Sequence, residues 1–134
     1  MNGIDVREKI VELSVGILRG VAERTGRGVH VVPWDGESEL ERPWCCVHVP
    51  EFRSMGAGSD AWEVGLMVQL ATAKGSPVEA GEVSGYVDAI VSGLGEAAAE
   101  WDVGVSDVVV EDQEAVVDGK GRVLEVEFSF IAAV

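Results

Sequence analysis

The sequence predicts an α+β domain: a mostly antiparallel sheet of about five strands with two helices packed on one face. Three observations carry this. "VLEVEFSFI" (residues 123–131) alternates Leu124, Val126, Phe128 and Phe130 with Glu125, Glu127 and Ser129, the period of a strand with one apolar and one polar face. "WEVGLMVQLAT" (62–72) repeats the pattern, with Trp62, Val64, Leu66, Val68 and Leu70 on one face. Ile10, Leu13, Ile17, Leu18 and Val21 recur instead at the spacing of an amphipathic helix.

Each element follows in order. The first helix is expected over residues 5–25, with Asp5 and Glu8 as a capping box at its start and "TGRG" (25–28) ending it, because glycine takes the left-handed conformation after a last turn. A short strand, "VHVV", follows at 29–32. "PWDGESELERP" (33–43) has two prolines, an Asp-Gly pair and four acids, and reads as an exposed loop. "WCCVHV" (44–49) is a strand closed by Pro50, and "EFRSMGAGSDA" (51–61) is a long flexible connection suited to meeting a partner.

After the central strand at 62–72, Ser76 as N-cap, Pro77 at the first helical position and Glu79 at the third mark the start of a second helix. Gly81, Gly85, Gly93 and Gly95 each cost that helix about 1 kcal/mol relative to alanine, so packing has to hold it, and the glycines permit a close neighbour. Two antiparallel strands are expected at 103–111 and 122–131, with a turn at "DGKG" in the segment between them.

Composition narrows the function classes. At 134 residues and 47% hydrophobic, the chain is expected to form a single domain, 1–134. A net charge of −14 opposes phosphate binding and anionic membrane surfaces, and no run of about 18 apolar residues is present to span a bilayer. Charges at Asp5, Arg7, Glu8 and Lys9 stand where a signal peptide needs its apolar core, so a soluble, cytosolic context is expected. The neighbouring Cys45 and Cys46 point to opposite faces of a strand and are expected to be reduced.

Charge is unevenly placed. Between Gly75 and Gly119 stand eleven acids (Glu79, Glu82, Asp88, Glu96, Glu100, Asp102, Asp107, Glu111, Asp112, Glu114 and Asp118) and no Lys or Arg. Arg7, Lys9, Arg19, Arg24 and Arg27 lie in or just after the first helix. Such asymmetry suits a head-to-tail contact in which the basic edge of one copy meets the acidic edge of the next, although a solvated surface explains it as well.

Candidate chemistry is sparse. Cys46 and His48 share a strand face and could ligate a metal with His30, or act as nucleophile and base, yet neither a Cys-x-x-Cys nor a His-x-x-x-His spacing supports them; two ordinary strand residues account for the pattern. "GAGSDA" (56–61) precedes a strand, whereas a phosphate cradle opens a helix. Glu125 and Glu127 sit on a polar face, not in the apolar surroundings that would raise a carboxyl pKa for acid–base work. Trp34, Trp44, Trp62 and Trp101 read as core or rim anchors. No enzyme activity, cofactor or metal is expected.

The order of elements, the leading helix, "RPWCCVHVPEF", the passage "WEVGLMVQLATAKGSPVEAGEVSGYVDAIVSGL" and the closing "VLEVEFSFI" together resemble the small tail-terminator and tail-completion proteins of long-tailed bacteriophages, over nearly the whole chain. The resemblance rests on pattern and fold, with no position-specific motif to transfer. It implies a structural protein of the virion neck, assembled in the host cytoplasm, that stops tail-tube polymerisation and docks to the head connector. The implied partners are further copies of itself, typically in a hexameric ring formed from subunits that can be monomers when free, the tail-tube protein and the head-connector protein. DNA passes through without specific binding, and an acidic lumen suits that passage because like charges keep the duplex off the wall. On this reading Glu125 and Glu127 face the lumen or a neighbouring subunit. The candidate contacts are Arg7, Arg19 and Arg24 on the first helix, Arg53 and Met55 in the 51–61 connection, and Glu111, Asp112 and Glu114 in the acidic 111–118 segment. The competing expectation is a small bacterial α+β binding or accessory domain with a protein or ligand partner.

Overall fold

A computed structural model describes residues 2–34, 41–56, 58–73 and 80–134. The elements are α1 (Gly3–Thr25), β1 (His30–Pro33), β2 (Trp44–Ser54), β3 (Ala61–Ala73), α2 (Ala80–Ala99), β4 (Gly104–Val105), β5 (Val109–Asp118) and β6 (Gly121–Ala133). The fold is α+β, as the alternation of the long strands requires. The six-stranded sheet runs β1-β2-β3-β6, with β4 and β5 both alongside β6 as an interrupted edge strand. All pairings are antiparallel except that of β1 with β2.

The period-two reading of the long strands places the core. Val64, Leu66, Val68 and Leu70 of β3 point to the same side as Val126, Phe128 and Phe130 of β6 and Cys45, Val47 and Val49 of β2, and all are buried. Both helices cover this side. α1 packs on α2, β1 and β2, while α2 reaches β4. From α2, Tyr86, Ile90, Leu94 and Ala98 enter the core at helical spacing. Gly93 meets the Ile17 side chain of α1, to which an added Cβ would stand 3.6 Å away, so one of the expected glycine approaches is a helix–helix contact.

Several boundaries depart from expectation for local reasons. The N-cap of α1 is Asn2, whose side chain accepts from the Asp5 amide at 3.0 Å, so Asp5 belongs to the first turn and does not cap it. Gly26 ends the helix with φ of 65°, as the "TGRG" signal requires. The buried stripe is centred on Val6, Ile10, Ser14, Leu18 and Val21; Leu13 and Ile17 lie at its flank. Pro50 does not close β2. The strand absorbs it in an irregularity between His48 and Glu51 and continues to Ser54, which shortens the expected 51–61 connection to the turn before Ala61.

The acidic 111–118 segment is likewise no connection. It is β5 itself, shifted C-terminally from the expected 103–111, because the edge ladder breaks after Val105 and resumes at Val109. Ser106 spans the break: its amide donates to the Ile131 carbonyl at 2.9 Å and its hydroxyl accepts from the Ile131 amide at 2.7 Å. The "DGKG" turn is confirmed, with Asp118 and Gly121 as the last pair of the hairpin. The Ser76, Pro77 and Glu79 capping signal lies outside the described residues, as do Asp35 to Leu40 of the 33–43 loop.

Candidate interaction surface

On the side of the sheet away from the helices, Trp34 lies over His48, and Cys46 and Ala71 are buried, whereas Glu127, Asp112 and Glu114 at the β5–β6 end are exposed. The residues of this side are read off the ladder in rows across the strands. One row is Cys46, Gln69, Glu125 and Glu114; the next is His48, Met67, Glu127 and Asp112. Glu125 and Glu114 therefore face one another directly, as do Glu127 and Asp112. Like charges in opposed positions destabilise a sheet. Glu125 gains one compensation, a hydrogen bond from Gln69 Nε2 to its Oε1 at 2.9 Å. Glu111, beside the irregularity between Val110 and Asp112, accepts from the Ser129 hydroxyl. Among the described residues, no Lys or Arg forms an ion pair with Glu111, Asp112, Glu114, Glu125 or Glu127.

The five acids expected at two separate places, a lumen face and a partner-contact segment, thus share one β5–β6 ribbon. Periodicity missed this juxtaposition because the irregularity at Glu111 interrupts the alternation of "VVEDQEAVV". The surviving signal was the valine pairs flanking the acids, which are strand-formers on both sides.

Arg53 stands on the same side but on the β2–β3 ladder, where it pairs with Glu63 at 2.9 Å. Met55 is exposed in the turn that follows β2. Arg7 and Arg19 do something that spacing did not reveal. Arg19 Nε donates to the Val31 carbonyl at 3.0 Å, and the Arg7 guanidinium donates to the Val49 carbonyl. The amides of His30 and Trp34 donate to Pro43 and Val47 of the β2 side, so the intervening Val31 and Pro33 direct their backbone groups away from it. Arg19 therefore caps an outward carbonyl on β1. Val49 lies just past the point where β1 ends, so Arg7 caps the first uncovered stretch of β2.

The remaining cations of this region are also engaged or balanced. Lys9 pairs with Glu12 at 3.0 Å and lies 3.6 Å over the Trp101 ring, and Arg27 pairs with Glu82 of α2 at 2.8 Å. Arg24 is exposed in the last turn of α1. The helix carries Asp5, Glu8, Glu12 and Glu23 against Arg7, Lys9, Arg19 and Arg24, so it is neutral overall. It presents no excess of positive charge to a second copy.

Cys45 and Cys46 point to opposite sides, as expected of neighbours in a strand, and both are buried thiols outside any disulfide. Burial, with Cys46 beside it, pushes the Cys45 thiol up to about 12, so it is no nucleophile near neutrality. Burial also lowers His48 below its ordinary value, Glu125 pulling it back up and Arg7 pushing it further down. Trp34 packs over His48 with ring centroids 4.9 Å apart. His30 is exposed at the start of β1, and no group of three potential ligands gathers among the described residues. Trp62 stacks on Phe52 at 5.6 Å and packs against the core, while Trp34 and Trp101 are about half exposed.

An enclosed space lies under α2, between Tyr86, Val83 and Val87 and the sheet residues Leu70 and Phe128. At about 10 Å³ and wholly apolar, it is too small and too dry for a ligand. A more open hollow lies beside α1, lined by Ile4, Arg7, Val11, Val15 and Pro33. No protein-family model matches the chain, and no curated protein matches its sequence.

Proposed function

We propose that this chain is a structural subunit of a long-tailed bacteriophage neck, a tail-terminator-like protein that assembles as a ring on the tail tube, ends its polymerisation and meets the head connector. The single observation that carries the reading is the β5–β6 end of the sheet face away from the helices, with its opposed carboxylate pairs, Glu125 with Glu114 and Glu127 with Asp112. These pairs repel one another within the subunit, so their role lies outside its own stability. A channel wall that must let DNA slide through without adhering is a surface on which such charge is useful. The resemblance of "RPWCCVHVPEF" and "VLEVEFSFI" to the tail-completion family supports the same reading.

Light scattering across protein concentration, at low and high salt and with negative-stain images, tests it. Each copy carries a charge of −14, and α1 supplies no net positive surface to offset it. Ring-sized species should therefore form at high concentration and be promoted by salt, which screens repulsion between copies. A monomer at every concentration and ionic strength contradicts self-assembly. The second reading, a small bacterial binding or accessory domain, is favoured by the hollow beside α1; specific ligand binding there by a strictly monomeric chain would replace the neck reading.

A further inference from the structure

The sheet has two sides at which a strand could be added, and they are finished differently. At the β1 side, Val31 gives its outward carbonyl to Arg19, and Pro33, at the next outward position, has no amide hydrogen. Just beyond, Pro50 interrupts β2 and Arg7 takes the Val49 carbonyl. Proline, charge and irregularity are the devices by which natural sheets close an edge. The other side is β5, a strand of ten residues that pairs with β6 alone. Among the described residues nothing is laid along its outer side, and every residue from Glu111 to Val117 is exposed. Val109 is 49% exposed, Val116 48% and Val117 74%.

We propose that the outer edge of β5 accepts an extended, Lys- or Arg-bearing strand of a different protein by strand addition. Backbone hydrogen bonds would supply the pairing, and alternate side chains of the incoming strand would meet Glu111, Asp112 and Glu114 at the centre and the exposed valines toward the hairpin end. The same acids exclude a second copy of this chain. Antiparallel pairing of β5 with its own copy brings acid against acid, and a copy's β1 and β2 edges are blocked by Pro33, Pro50 and the two arginines. The β5 acids therefore act as gatekeepers against self-pairing while matching a cationic partner. Strand addition needs no ring, so it stands or fails separately from the neck reading.

The test uses the intact protein with a synthetic peptide the length of β5 in which lysine alternates with valine, and a glutamate–valine peptide as control. Backbone amide exchange and shifts are followed by NMR. The expected result is binding of the lysine peptide with new exchange protection at alternate β5 amides, no binding of the glutamate peptide, and roughly tenfold or greater weakening by the double substitution Asp112→Lys, Glu114→Lys. Both positions are exposed, so the fold is retained, which the unchanged spectrum of the core verifies. Binding without amide protection is surface charge attraction only and overturns the proposal. So does protection on another strand, or no binding at millimolar peptide.

Discussion

Arg19 reaches from α1 to the outward carbonyl of Val31 on β1, Nε to oxygen at 3.0 Å, and so closes one side of the sheet. A side chain nominated as an intersubunit contact is thus committed within the subunit. It ties the helix layer to an edge strand, since β1 has only β2 beside it.

Arg19→Ala should destabilise the protein by about 1 kcal/mol, the usual net worth of one partly exposed charge-assisted hydrogen bond. Urea unfolding followed by circular dichroism reads this as a lowered midpoint with an unchanged slope. β1 should also lose amide protection before the other strands. A midpoint identical to the parent's would mean that water replaces the cap without loss.

Ser14 offers the opposite sign. Its hydroxyl is buried in the α1 stripe with no hydrogen-bond partner among the described residues. Ser14→Ala removes an unsatisfied polar atom and improves helix propensity, so it should stabilise by about 1 kcal/mol. Phe128→Ala, deleting a side chain that fills the middle of the core, should cost about 4 kcal/mol. The two together test whether the core sits where the ladder places it.

The strands were legible because period two survives in Leu124 to Phe130 and Trp62 to Leu70, where one face is buried and each side chain reports its side. Helix ends were legible where glycine was required, at Gly26. What could not be read were the places where the backbone departs from regularity: the passage through Pro50, the break at Ser106 and the shift at Glu111. Each moves later residues relative to their neighbours without changing local composition. Hence the acidic segment looked like a connection, and its opposition to Glu125 and Glu127 was hidden. The edge-capping roles of Arg7 and Arg19 were equally invisible, because they depend on which carbonyls a parallel β1 leaves unpaired.

Alkaline pH should weaken the fold through Cys45. Its folded-state pKa stands well above the ordinary 9.0, so the neutral thiol is the form the core accepts. The corresponding stability is complete below pH 9.0 and is lost as the pH rises toward about 12, at about 1.4 kcal/mol per pH unit. Burial raises Tyr86 as well, which acts with the same sign. Urea midpoints measured across this window should fall, and less steeply in Cys45→Ala. In the native protein neither thiol should react with a disulfide reagent at neutral pH; both should react in urea.

His48 acts at the acidic end. Its folded-state pKa lies below 6.5, so the neutral ring is favoured in the fold, and the stability this contributes is present above pH 6.5 and lost as the pH falls through the folded value. An NMR titration should give a His48 midpoint below 6.5. Glu125→Gln should lower it further by removing the charge that pulls it up. An upward shift in that variant would place the carboxylate elsewhere.

The side of the sheet that faces the axis of an assembled ring is the most direct test of the neck reading. Glu127 is exposed on the sheet face away from the helices, and Cys45 and Cys46 are buried, so Glu127→Cys labelled with a maleimide gold cluster marks that face alone. Negative-stain averages of the labelled assembly should show gold density within the central opening. Gold on the outer rim would contradict the account.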